Sequence, residues 1–139
     1  MSPSKLSATK LTPNLLVSNV QRSLAFYEGL GFSRGMTVPD HSPFVFASVT
    51  NGAVEIFLND RSTVTKESPQ MAGLPFGGGN TMFIEVTGVD RLHDAVKAGA
   101  KVIMPLVTQW YGLREFAIVD PDAYVITFAE RVATGTGTP

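Results

Sequence analysis

Apolar and polar positions alternate along the chain in two similar successions of short segments. Residues 11–17 read as a strand, with Leu15 and Val17 alternating against Asn14 and Leu16. Val20, Leu24 and Tyr27 then fall at i, i+4 and i+7, the apolar stripe of a short helix ending near Leu30. Ser18 or Asn19 is placed to cap it, and Gly29 or Gly31 to end it. Strands are predicted over residues 32–38, 44–50 and 53–59, with turn residues at 39–43 and a hairpin signal at Asn51-Gly52. Residues 60–80 are polar and end in glycines, which predicts a linker or mobile loop. Those glycines are not a phosphate loop, because no strand feeds them and no Lys-Ser/Thr follows.

The pattern then restarts. Residues 81–87 read as a strand with Met82, Ile84 and Val86 on one face. A helix starts at Asp90, with Leu92, Ala95, Val96 and Gly99 expected on its buried side. Residues 100–104 form a short strand, 105–112 an aromatic-bearing loop, 113–119 a strand, 120–123 a turn and 124–130 the last strand. Both halves therefore run strand, helix, three strands. Val17 and Val20 recur 69 residues later as Val86 and Val89. This predicts an internal duplication and an α+β fold of two βαβββ modules, about 11–59 and about 81–130, joined by a linker at about 60–80. Together they are expected to make one domain, residues 11–130, whose curved mixed sheet is a cup with the helices outside. A ligand would sit in the cup. Residues 1–10 and 131–139 are expected to be flexible ends.

Composition narrows the chemistry. The 139 residues include no cysteine and two histidines, so disulfides, thiolate metal sites, Cys nucleophiles and histidine-rich metal sites are excluded. A net charge of −1 gives no electrostatic reason to bind nucleic acid. Apolar runs such as 116–119 are far short of the ~20 residues of a membrane span. The first ten residues lack the apolar core of a secretory signal, so a cytoplasmic location is expected. The low charge, 17% of residues, favours self-association. No spacing assembles a Ser/His/Asp triad.

Two stretches carry a family resemblance. Residues 17–32, VSNVQRSLAFYEGLGF, are similar to the "V-x-D-h-x-x-S-h-x-F-Y…L-G-F" opening of the vicinal-oxygen-chelate superfamily. That superfamily holds glyoxalase I, extradiol dioxygenases, and fosfomycin- and bleomycin-resistance proteins. Residues 120–124, DPDAY, resemble its "D-P-D-G-h" hairpin before the last strand. The resemblance spans roughly residues 11–130 and implies the glyoxalase/bleomycin-resistance fold. Asn19 stands where Asp is usual and still serves as a cap. Ala123 stands where Gly is usual, which predicts a turn that avoids positive φ.

Enzymes of the superfamily carry a divalent metal in the cup, held by His, Glu or Gln. The resemblance puts its four ligand positions at Thr12, Glu55, Thr81 and Thr127. Three neutral hydroxyls and one carboxylate do not hold a catalytic divalent ion, so no metal and no cofactor is expected. His41 in a turn and His93 on a helix outside the cup are expected to be exposed and inert. The "T-P-N-L" of residues 12–15 resembles the opening of bleomycin-resistance proteins, which bind drug without reaction as dimers with aromatic-lined grooves.

Strand parity from those positions puts Asn14, Leu16, Ala53, Phe57, Phe83, Glu85 and Val125 on the cup face, with Phe44 or Phe46 joining from the neighbouring strand. The aromatic rings line a ligand pocket or simply fill the mouth of a barrel. Glu55 is a counter-charge for a cationic ligand, a proton acceptor, a relic of a metal site, or the partner of Arg114 or a water. Trp110 and Tyr111 offer a flat surface for a planar ligand or for a dimer interface. One of Arg114 and Glu115 faces the cup, and an inward Arg114 would clamp a carboxylate. The predicted ligand-binding set is Asn14, Phe44, Phe46, Glu55, Phe57, Phe83, Trp110, Tyr111 and Arg114, with no catalytic residue. The expected function is that of a metal-free homodimer sequestering a small planar or cationic molecule such as a drug. The alternatives are an enzyme of lyase, isomerase or dioxygenase class working through Glu55 or an unplaced metal, and an accessory dimer without ligand specificity.

Overall fold

The computed structural model describes residues 5–77 and 79–132. The chain divides into two compact units, the first running to Glu67 and the second starting at Ser68. The first unit contains β1 (Asn14–Val17), α1 (Val20–Leu30), β2 (Ser33–Val38), β3 (Phe46–Asn51), β4 (Val54–Asp60) and α2 (Arg61–Glu67). The second contains β5 (Thr81–Glu85), α3 (Val89–Val96), β6 (Lys101–Thr108), β7 (Leu113–Val119) and β8 (Val125–Arg131), preceded by a 3₁₀ turn at Pro69–Met71. The sheet orders are β1-β4-β3-β2 and β5-β8-β7-β6. In each, the first strand lies parallel to the last and the other pairs are antiparallel. The duplication read from the sequence is thus a duplication of topology, and the fold is α+β.

Period-two alternation fixes the core of the first unit. Leu15, Val17, Ala47, Val49, Ile56 and Leu58 are buried on the face that packs against α1. Val20, Leu24 and Tyr27 meet them from α1, each fully buried large apolar side chain contributing about 1.5–3 kcal/mol. The Asn19 side chain accepts the Arg22 N–H at 2.9 Å and caps the helix. Gly31, at φ 112°, ends it, a backbone region that costs other residues. Residues Arg34 and Thr37 of β2 flank a bulge. There the Ser48 hydroxyl accepts the Met36 N–H at 2.9 Å, and a Cβ on Gly35 would collide with that hydroxyl.

Three local expectations change. The stretch read as a linker begins with α2, because Asp60 caps it. Its carboxylate accepts the Thr63 N–H at 3.0 Å and the Ser62 and Thr63 hydroxyls at 2.6 and 2.8 Å. Strand β6 continues to Thr108 across Pro105, and register shifts on both sides of Met104 absorb the missing N–H. Ala123 does not avoid positive φ: it sits at 69°. Asp120 holds that turn, its Oδ1 accepting the N–H groups of Asp122 and Tyr124, both at 2.9 Å.

In the second unit Met82, Phe116, Ile118, Ile126 and Phe128 form the core with Val89 and Val96 of α3. Ala95 and Gly99, expected to be buried, are exposed, and the stripe is Val89, Leu92 and Val96. His93 is not simply exposed either; its ring packs edge-on against Phe116 at 5.0 Å. Gly88 offers α3 no side-chain cap. The carboxylate of Glu130 on β8 replaces one, accepting the N–H groups of Gly88 and Val89 at 2.9 and 3.0 Å. These two bonds hold its pKa below the ordinary 4.5. The stability they add is complete above that ordinary value and is lost as pH falls through the lowered one. Glu130→Gln is therefore expected to flatten the acid limb of the stability–pH profile below about pH 5. Urea midpoints measured across that range test this, and an acid limb of unchanged steepness would sink it.

Candidate functional site

The expected site residues of the first unit stand mostly on the sheet face away from α1. Asn14, Phe57 and Glu55 share that face with Phe46, Ser48 and Asn59, as the strand registers require. Phe46 and Phe57 touch edge to face at 5.2 Å and 62°. The Asn14 side-chain oxygen accepts a hydrogen bond from the Asn59 amide. Asn59 is absent from the predicted ligand-binding set, although it shares the parity of Phe57 along β4. Phe44 lies outside β3, under the Arg34 guanidinium at 5.7 Å. It lines a separate hollow at the start of α1 with Val20, Gln21, Pro43 and Asp60.

Glu55 pairs with Lys10 Nζ at 2.5 Å, not with Arg114. Lys10 is 58% exposed and the carboxylate 25%, so the pair is solvated and of modest strength. Its consequence is chemical: the one carboxylate among the four metal positions already has a cation beside it.

In the second unit Phe83 lies on the edge strand β5, 54% exposed. Trp110 and Tyr111 occupy the β6–β7 turn, which closes with Gln109 N–H to Leu113 O at 2.8 Å and Gly112 N–H to Gln109 O at 3.0 Å. Their rings meet edge to face at 5.3 Å, and both stay over 40% exposed. Arg114 does not point to the same face as Phe83. It shares the parity of Phe116 and Ile118 and forks onto Asp90 of α3, with contacts of 2.9–3.1 Å. The pair holds the Asp90 carboxyl below its ordinary range and raises the Arg114 guanidinium. Glu115 is the residue that faces the other way, and it is 4% exposed. The Tyr111 hydroxyl donates to its Oε1. That bond, with burial and the negative charge beside it, pushes the Tyr111 pKa up to about 12.

The metal positions can be tested against the registers. Phe57 pairs with Asn14, and Thr127 with Phe83. Two residues earlier on each last strand, Glu55 corresponds to Val125 rather than to Thr127. The donor set then has a carboxylate held by Lys10, two threonine hydroxyls and a valine, which does not fit a divalent cation. Among the described residues no three His, Cys, Asp or Glu side chains gather as a metal-holding group.

Residues 10–128 match the family model described as the Glyoxalase/Bleomycin resistance protein/Dioxygenase superfamily. The bleomycin resistance protein of Geobacillus stearothermophilus is 30% identical over 131 residues, covering 86% of this chain and 95% of that protein. A Staphylococcus aureus bleomycin resistance protein matches with the same identity and coverage. Among solved structures, a glyoxalase/bleomycin resistance protein/dioxygenase from Nocardioides aligns with a TM-score of 0.76 at 16% identity, covering 98% of this chain and 92% of that one.

Proposed function

The chain belongs to the glyoxalase/bleomycin resistance protein/dioxygenase superfamily, and within it we propose that it is a metal-free binder of a planar or cationic small molecule. It holds this ligand in an aromatic groove as a homodimer. The observation that carries this reading is the likeness to curated bleomycin resistance proteins over nearly their whole length. The donor set supports it, since Thr12, Thr81 and Val125 supply no strong ligand and Glu55 holds Lys10. The exposed rings of Trp110 and Tyr111 supply stacking surface, and Phe46 and Phe57 form a second aromatic pair. Asn14, Phe44, Glu55 and Phe83 remain candidate contacts. Arg114 is better described as a positioning residue, because it fastens β7 to α3.

Trp110 is the only tryptophan of the chain, so its fluorescence reports one place. Titration with bleomycin is expected to change that emission saturably, and a protein of 14.9 kDa to sediment at twice its chain mass. No saturable change with bleomycin or other planar cationic drugs would remove the binding function. A monomer in sedimentation would remove the dimer alone.

A further inference from the structure

Two buried side-chain atoms among the described residues have no hydrogen-bond partner: Ser23 Oγ and Glu115 Oε2. Ser23 carries a neutral hydroxyl on the core side of α1. Glu115 carries a carboxylate, with four lone-pair positions to satisfy and one donor, the Tyr111 hydroxyl, on its other oxygen. Val107 and Ala129 flank it across the sheet and Leu113 and Ala117 lie two residues away along β7, none with a side-chain donor, and the diagonal neighbours on β8, Thr127 and Arg131, do not bond its Oε2. Arg114 is turned to Asp90. A carboxylate desolvated to this degree with one oxygen open is unfavourable unless something else engages it, and such groups concentrate at functional sites.

The surroundings say what would engage it. The registers set Glu85, Ala129, Glu115 and Val107 in one row across β5, β8, β7 and β6. Two carboxylates therefore flank a methyl group, their Cα atoms about 10 Å apart. Of the cations on that face, Lys101 pairs with Val119 at the far end and Arg131 pairs with Leu113, one diagonal step from Glu115; both are exposed. Beside Glu115 the rings of Trp110 and Tyr111 provide planar surface.

We infer that Glu115 is the recognition residue for a cationic donor group, an amidinium, guanidinium or protonated amine, carried on a planar body. Tyr111 occupies the carboxylate until the ligand displaces it. A planar two-donor cation satisfies both oxygens at once, which the single phenol does not. The Tyr111 hydroxyl keeps its proton and turns away from Glu115 to solvent, the residue as a whole being 41% exposed. This inference rests on the ligand-binding reading above and adds the chemical group selected.

The test compares para-aminobenzamidine with para-aminobenzamide, its neutral near-isostere, by calorimetric titration at neutral pH. The wild-type protein is expected to prefer the amidinium by about tenfold or more. Glu115→Gln is expected to remove that preference while keeping amide binding. Tyr111→Phe, which retains the ring and removes the competitor, is expected to tighten amidinium binding. Equal binding of both probes by wild type, binding of neither, or a preference that survives Glu115→Gln overturns the inference. Should Glu115→Gln not fold, the Tyr111→Phe result decides, and unchanged or weaker amidinium binding overturns it. A saturable bleomycin response alongside no amidinium preference leaves the binding function standing without this residue. The reverse result leaves Glu115 standing without the bleomycin likeness.

Discussion

Gly77→Ala is expected to destabilise the second unit by about 2–3 kcal/mol. Two separate causes add. Gly77 has φ +65°, where a Cβ meets its own backbone, at about 1–2 kcal/mol. That Cβ would also collide with the carbonyl group of Ala123 and approach the Tyr124 nitrogen. Backbone atoms held by the Asp120 hydrogen bonds cannot swing aside as a side-chain tip would. Ala123→Gly is the informative companion. It removes the Cβ from a residue at φ 69° and is expected to stabilise by about 1 kcal/mol, after the added freedom of the unfolded chain is subtracted. It leaves the collision at Gly77 in place, because that collision involves the Ala123 carbonyl and not its methyl. Measured against Ala123→Gly, adding Gly77→Ala should therefore cost nearly the full amount, leaving the double variant about 1–2 kcal/mol less stable than wild type. Urea unfolding followed by circular dichroism measures all three, and a Gly77→Ala midpoint equal to wild type would remove the close approach.

What the sequence made legible was local. The cap, stripe and stop of α1 are written in residues 19–31, and the Asn51-Gly52 hairpin in two adjacent residues. What it hid depended on distant partners or on ambiguous parity. The cap of α3 is Glu130, 41 residues from Val89. Lys10 reaches Glu55 across 45 residues. Strand β7 is apolar on both faces from Phe116 to Val119, so alternation alone did not decide between Arg114 and Glu115. The shared parity of Arg114 with the bulkier Phe116 and Ile118 was the available signal. The shift from Thr127 to Val125 followed only from the strand registers, since the two residues share a face and differ by one step along it. Asp60 is different: the Asp-x-x-Thr cap is local, but the polar residues after it carry no apolar stripe to mark a helix.

Tyr27→Ala is expected to destabilise the first unit by about 3–5 kcal/mol, against a total domain stability of about 5–15 kcal/mol. Tyr27 is fully buried on α1 and is the largest side chain of the core. Phe26 and Phe32 meet its ring edge to face at 5.3 and 5.8 Å, so the truncation forfeits aromatic contacts as well as area. Phe26 is only half-buried, and Phe26→Ala should be the smaller loss. These three rings, with the cap at Asn19 and the stop at Gly31, are the "F-Y…L-G-F" stretch that carries the family resemblance. Their geometry makes that stretch a packing signature: Tyr27 ties α1 to the loop leading into β2. A ligand site would answer differently to the same change. If Tyr27 acts through the core, the folded fraction of Tyr27→Ala should titrate with unchanged affinity, the binding amplitude falling in proportion to the protein unfolded. Hydrogen exchange across α1 should rise while exchange across β7 and β8 stays near wild type, since the first unit loses the packing and the second keeps its own core. A stable Tyr27→Ala protein with weakened affinity would instead make Tyr27 part of the binding surface, and the signature would have to be reread as chemistry.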